Sequence, residues 1–239
     1  MNTTENTIQN DDLQQIAQLQ KRAIEFAEAG MSEEALEAAM VCIGLQEEVA
    51  PHDMFLRARL IQNASRILLY TGDLEQAEAI AAEGVELLKS VPECTGDDYA
   101  HALLNLSSIQ YTKHDFEAAY LSLTEALTIW KQEKGEESAE VADCLSNLGR
   151  LREEQGNLDE AIAYHQLAIE VKEKVFGDHE QTAFSQMNKG LAHIMAEQFI
   201  EAKMMLEAAL ACCKRIGKED SEIAKACSQN LKICNGQMQ

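Results

Sequence analysis

The sequence is poor in residues that interrupt helices, with only two prolines and twelve glycines among 239 residues. Proline removes a backbone donor and β-rich chains need many turn residues, so this scarcity favours helices over strands. Basic residues are also few: 20 stand against 41 acidic ones, which gives a formal net charge of −21. Because nucleic-acid binding and polybasic membrane anchoring both depend on Lys and Arg, we expect neither function.

Signals for export and for membrane insertion are absent from the sequence as well. No run approaches the roughly 20 apolar residues that span a bilayer, and the start, MNTTENTIQNDD, has neither a basic nor an apolar signal-peptide region. The seven cysteines are odd in number and show no CxxC spacing, which argues against a disulfide framework or a zinc site. We therefore expect a cytoplasmic protein with reduced thiols, no metal site and no cofactor.

A repeat of about 42 residues organises the chain. An asparagine recurs at this interval, and a small residue follows it at a constant distance. The asparagines are Asn63, Asn105, Asn147, Asn188 and Asn230. The small residues are Ala35, Ala77, Ala119, Ala161 and Ala202. Apolar residues follow at three- and four-residue spacing with one break per unit, which predicts a helical hairpin in each repeat.

A single hairpin cannot bury both of its faces, so the repeats predict a stack of hairpins, an all-α solenoid. We predict one repeat domain over residues 12–236, after a flexible tail at 1–11. The predicted helix-turn-helix repeats span about 15–50, 57–92, 99–134, 141–176 and 182–217, and a final helix spans 220–236.

The turn inside each hairpin has a recurring position. Gly30, Gly72 and Gly156 occupy it in three repeats, where a positive φ can end the first helix without a Cβ penalty. His114 and Glu197 occupy it in the other two, which leaves those turns less well specified.

The segment from Asn147 to Glu170, NLGRLREEQGNLDEAIAYHQLAIE, resembles the tetratricopeptide consensus. The longer unit and its long connectors resemble the kinesin light chain type of this repeat, over about residues 12–236. The resemblance implies a right-handed superhelix that binds a peptide or protein segment in a concave groove, lined by the first helix of each repeat. Arg152 departs from the consensus, which has an aromatic residue there.

The same resemblance places the five asparagines in the groove as a ladder. A carboxamide offers both a donor and an acceptor, so it can bind the C=O and N–H of an extended peptide whatever its side chains. The alternative is that each asparagine caps or bridges neighbouring helices. Further predicted groove residues are Arg59, Arg66, Arg150, Tyr70, Tyr111 and His101. The arginines suit an acidic side chain or a peptide carboxylate, or they merely neutralise acidic neighbours such as Glu153.

The fifth repeat has an apolar inner face instead. The predicted hydrophobic patch consists of Phe184, Met187, Leu191, Ile194 and Met195. This patch accepts an apolar ligand group, is covered by the final helix, or joins two copies of the chain in a homodimer.

No phosphate-binding, nucleophile-elbow or metalloprotease motif is present in the sequence, so we predict that the protein is not an enzyme. We interpret Cys212, Cys213, Cys227 and Cys234 as small packing residues, and His165 as an ordinary surface or interface histidine. The preferred hypothesis is an adaptor that binds an extended peptide of a partner protein. A self-assembling scaffold and a chaperone for a client protein are the alternatives.

Overall fold

The computed structural model describes the backbone of residues 3–238 and the side chains of residues 12–238. Within that part of the chain there are eleven helices and no strand. The helices are α1 (Thr3–Glu28), α2 (Ser32–Val49), α3 (Met54–Thr71), α4 (Leu74–Ser90), α5 (Gly96–Thr112), α6 (Phe116–Lys134), α7 (Ala139–Glu154), α8 (Leu158–Phe176), α9 (Glu180–Met195), α10 (Phe199–Arg215) and α11 (Glu222–Gln237). The prediction of an all-α solenoid is confirmed.

Helix α1 begins earlier than the sequence analysis expects. Its backbone is helical from Thr3, within the stretch of residues 1–11 that we predicted to be a flexible tail. No proline or glycine stands between residues 3 and 28, so nothing in the sequence ends the helix before its apolar stripe begins. The side chains of residues 1–11 and the backbone of residues 1 and 2 lie outside the described part.

The chain divides into two compact units, Met1–Ser122 and Leu123–Gln239. In the first unit α1 packs against α2 and α3 against α4, and α2–α3 and α4–α5 contacts link successive hairpins. In the second unit each helix from α7 to α11 packs against the next, and α11 also contacts α9. The assignment of all repeats to one domain stays a prediction.

Small side chains allow the helices of each hairpin to approach closely. The recurring alanines at positions 35, 77, 119, 161 and 202 have no exposed surface. A second set of small residues, Ala81, Ala126, Ala168 and Ala209, is buried to the same degree. Such residues permit the interaxial distance of about 8–10 Å that is typical of packed helices.

The turns confirm the left-handed position that we predicted for the three glycines, and the two turns predicted to be less well specified adopt it too. Gly30, Gly72 and Gly156 have φ values of +74°, +87° and +75°. His114 and Glu197 adopt the same conformation, at +62° and +60°, although both carry a Cβ. After Glu197 the amide of Gln198 donates to the carbonyl of His193, a bond that closes the end of α9.

Candidate functional site

A polar cleft lies between α3 and α5 in the first unit. Arg59, Asn63 and Arg66 line it from α3, and His101 and Asn105 line it from α5. These side chains meet because residues three, four and seven apart share one face of a helix. The cleft encloses about 440 Å³, and Gln62, Leu88, Asp98, Ala102, Leu104 and Ser108 complete its wall.

A second cleft adjoins the first and has a more apolar floor. It lies between α1 and α3, encloses about 380 Å³, and is floored by small and aliphatic side chains that include Ala23, Leu60 and Ile67. Asn63 and Arg66 line both clefts. Tyr70 also lines the second cleft, and 73% of its surface is exposed. Six of the predicted groove residues therefore lie along one stretch of surface: Arg59, Asn63, Arg66, Tyr70, His101 and Asn105.

Asn105 is held by a hydrogen-bond network that joins α5 to α3. Its Nδ2 donates to Gln62 Oε1 at 2.7 Å and to Ser65 Oγ at 2.8 Å. Gln62 Nε2 in turn donates to the Ala81 carbonyl at 3.3 Å, and Ser65 Oγ donates to the Gln62 carbonyl at 2.8 Å. Asn105 thus bridges two helices, which is the alternative role considered above, while its side chain still lines the cleft.

The arginines of α3 divide by their surroundings. Arg57 pairs with Glu47 and with Glu83, so it neutralises neighbouring acids. Among the described side chains, neither Arg59 nor Arg66 makes an ion pair. Both are exposed beside the cleft, which leaves two guanidinium groups for an external anion in a protein of net charge −21.

Other residues of the first unit are engaged locally. Asp98 completes a capping box with Thr95 at the start of α5, in which its Oδ2 accepts from the Thr95 amide and hydroxyl. The Nδ1 atom of His101 lies 2.8 Å from the Asp97 carbonyl oxygen. Tyr111, which we predicted in the groove, packs edge-on against Phe116 at a centroid distance of 5.8 Å and does not line either cleft.

The predicted groove residues of the second unit differ in exposure. Arg150 is exposed on α7, and Asn147 and Asn230 are half-buried on α7 and α11. Asn188 is buried, and its Nδ2 has no hydrogen-bond partner among the described residues. The partners of Asn105 come from the preceding repeat, where Gln62 and Ser65 stand one position before and two positions after Asn63. At the same positions around Asn147, in the repeat before Asn188, stand Ser146 and Gly149. The Ser146 hydroxyl donates to the Ala142 carbonyl and accepts from Lys172 Nζ at 3.4 Å, and glycine has no side chain to offer.

The predicted hydrophobic patch is divided by the final helix. Met187, Leu191 and Ile194 belong to a core cluster that includes Cys227, Cys234 and Leu231 of α11. These three side chains are therefore packed against the second unit's own helices. Phe184 and Met195 remain 41% and 52% exposed, so the patch available to a ligand or a second copy is narrower than predicted.

His165 lies at the interface between α8 and α7, the second of the two positions that we expected for it. It is fully buried on α8, its Nε2 lies 3.0 Å from Glu153 Oε1, and its ring fills the space left by Gly149. Cys212, Cys213, Cys227 and Cys234 are buried free thiols, as the packing interpretation requires. No group of three or more His, Cys, Asp or Glu side chains suited to a metal ion occurs among the described residues.

Sequence reasoning missed Ser65 and the role of Gln62 in the cleft. A signal existed: among repeats two to five only the second has an amide at this position, where the later three have Leu104, Ser146 and Met187. In the described part of the chain no helix has the length and apolarity needed to span a membrane.

Comparison with known proteins finds the same repeat in part of the chain. The tetratricopeptide repeat family matches residues 122–174 and 140–215. A clustered mitochondria protein homolog of Aspergillus fumigatus is 22% identical over 186 residues, which cover 76% of this chain and 14% of that protein. The corresponding protein of Ajellomyces capsulatus is 22% identical over 175 residues. The chain thus spans about one seventh of the length of these relatives.

Solved structures share the fold at low sequence identity. BtubC from P. vanneervenii superposes with a TM-score of 0.74 at 17% identity, covering 90% of this chain and 93% of that one. A putative kinesin light chain repeat protein from Podosopora anserina gives 0.75 at 16% identity, with coverages of 85% and 96%. Aspartyl phosphate phosphatase F from Bacillus subtilis gives 0.77 at 14% identity and covers 98% of this chain and 63% of its own.

Proposed function

We propose that this chain is a tetratricopeptide repeat protein of the kinesin light chain type and that its first unit binds an extended, carboxylate-bearing peptide of a partner protein. The fold implies protein–protein interaction. The proposed site is the cleft between α3 and α5, with Asn63 and Asn105 contacting the peptide main chain and Arg59 and Arg66 pairing with its carboxylate.

The observation that carries the proposal is the pair of arginines in the cleft. Arg59 and Arg66 are seven residues apart on the same face of α3, and both line the same cleft. A guanidinium binds a carboxylate through two parallel hydrogen bonds, which gives both affinity and geometric specificity. Asp98 also lines the cleft, but two guanidinium groups against one carboxylate leave the lining net positive within an acidic protein.

The asparagines supply contacts that do not depend on ligand sequence. Asn63 lies at the junction of the two clefts, so one carboxamide serves both. An extended segment crossing this junction exposes its main-chain N–H and C=O groups to such side chains.

The proposal needs no cofactor, and it places the protein in a reducing compartment such as the cytoplasm, since all seven cysteines are free thiols.

The experiment uses peptides selected from a random-sequence display library by the purified chain. Affinities are measured by fluorescence anisotropy for each selected peptide and for a copy in which Glu and Asp become Gln and Asn. We expect the neutral copy to bind about tenfold more weakly, because a hydrogen bond to a charged group contributes about 1.5–3 kcal/mol. The double variant Arg59→Gln, Arg66→Gln should abolish this difference.

Arg22→Gln is the matched control, because it removes one positive charge from α1 outside both clefts and leaves binding unchanged. Circular dichroism establishes that each variant is folded. The proposal is refuted if the double variant binds the acidic peptides as tightly as the wild-type protein does.

A further inference from the structure

We propose that Asn105 contacts the peptide only as a hydrogen-bond acceptor, and that Gln62 and Ser65 are the positioning residues that impose this role. The inference rests on the proposed peptide site. It changes what the site selects: at the position facing Asn105 the peptide must present a main-chain N–H.

The first step is the orientation of the Gln62 amide. Its Nε2 donates to the Ala81 carbonyl at 3.3 Å, so its Oε1 is the atom turned toward α5. Rotating the amide by half a turn would place Oε1 against that carbonyl, and two acceptors repel each other. Gly84 provides the space for this arrangement, because a Cβ there would lie 2.5 Å from Gln62 Nε2.

The second step is the orientation of the Ser65 hydroxyl. Its hydrogen is donated to the Gln62 main-chain carbonyl at 2.8 Å. A hydroxyl has one hydrogen and two lone pairs, so toward Asn105 it can act only as an acceptor.

Together these two acceptors fix the carboxamide of Asn105. A primary amide nitrogen carries two hydrogens, and Asn105 Nδ2 donates one to Gln62 Oε1 and one to Ser65 Oγ. Both N–H groups of Asn105 are therefore used between α5 and α3. The group that remains for a ligand in the cleft is Oδ1, which accepts but cannot donate.

The consequence is a defined chemical preference. An extended peptide offers one N–H per residue, except at proline, which has none. Proline or an ester linkage at the residue facing Asn105 removes the donor and leaves Oδ1 without a partner. Most residue types are otherwise tolerated at this position, since the contact is to the main chain.

An amide-to-ester scan of one selected acidic peptide tests the preference. Each variant peptide replaces a single main-chain N–H by oxygen, which deletes the donor and adds no bulk. With the wild-type protein we expect one replacement to weaken binding about tenfold, the loss of one hydrogen bond to a desolvated acceptor. With Asn105→Ala the same replacement should have an effect below about twofold.

Variants of Gln62 separate positioning from stability. Gln62→Ala removes the acceptor that fixes Asn105, so the ester-sensitive position should lose most of its sensitivity. Ser65→Ala removes the other acceptor of Asn105 and should lower the sensitivity as well. If the tenfold loss persists in Asn105→Ala, or in both Gln62→Ala and Ser65→Ala, the proposal is overturned.

A measurement without ligand distinguishes this inference from the proposed function. Hydrogen exchange of the Asn105 side-chain amide, followed by nuclear magnetic resonance, should be slow in the wild-type protein and faster in Gln62→Ala and in Ser65→Ala. Rapid exchange in the wild-type protein overturns the network even if the arginine-dependent binding holds. If exchange is slow but no peptide depends on the cleft for binding, the proposed function and the ligand preference are both overturned. The hydrogen-bond network around Asn105 then still stands.

Discussion

The turn between α9 and α10 offers a clean measurement of backbone strain in this repeat family. Glu197 adopts a φ of +60° there, and its side chain is exposed. A left-handed conformation costs a residue with a Cβ about 1–2 kcal/mol. We therefore expect Glu197→Gly to stabilise the second unit.

The expected gain is smaller than the strain itself. Glycine also increases the conformational freedom of the unfolded chain, which offsets about 0.4–1 kcal/mol of the gain. The net change is about 0.5–1 kcal/mol in the free energy of unfolding, or an increase of about 3 °C in the unfolding temperature. Glu197→Ala is the matched control, since it removes the same charge and keeps the Cβ.

Unfolding of the second unit can be followed by fluorescence. The chain has a single tryptophan, Trp130, which is buried within that unit. Thermal and urea unfolding of the wild-type, Glu197→Gly and Glu197→Ala proteins should place only the glycine variant higher. Equal stabilisation by alanine would refute the reasoning, because relief of charge repulsion and not of backbone strain would then be the cause.

Two further predictions concern the interior of the second unit. Gly149→Ala should destabilise it by about 1–3 kcal/mol in urea unfolding, since a Cβ there would lie 2.5 Å from the buried His165 ring. Gly44→Ala is the control, because a Cβ at that position would meet open space, and it should be neutral or stabilising. Burial raises the pKa of the Cys227 thiol from 9.0 to about 12. The stability from this neutral thiol is fully present below pH 9 and is lost as the pH rises toward 12. Tryptophan-monitored unfolding across this range should show a shallower decline in Cys227→Ala than in Cys94→Ala, and equal declines would contradict the prediction.

Much of the fold could be predicted because the repeat carries the same signals several times. The spacing of apolar residues gives helices, and the recurring small residues show where helices cross. The left-handed turn was predictable at Gly156 and, by register alone, at Glu197. The start of α1 was not, because a polar stretch without proline or glycine carries no stop signal.

The candidate site was less predictable, since register places a residue on a helix face but does not determine its partners. Arg59 and Arg66 line a cleft, whereas Tyr111 packs against Phe116. Asn105 and Asn188 hold equivalent positions, yet one is held by two acceptors and the other has a donor without a partner among the described residues. That difference depends on the side chains of the preceding repeat.

The second unit repeats an ion pair along with its helices. Lys174 near the end of α8 pairs with Glu137 before α7, and Arg215 at the end of α10 pairs with Asp178 before α9, with the same separation of 37 residues. Each pair closes the open end of a hairpin, whereas main-chain hydrogen bonds close the turn end. Salt screens exposed charges and leaves backbone hydrogen bonds largely unaffected. Raising the ionic strength therefore weakens the open ends of these hairpins more than their turn ends.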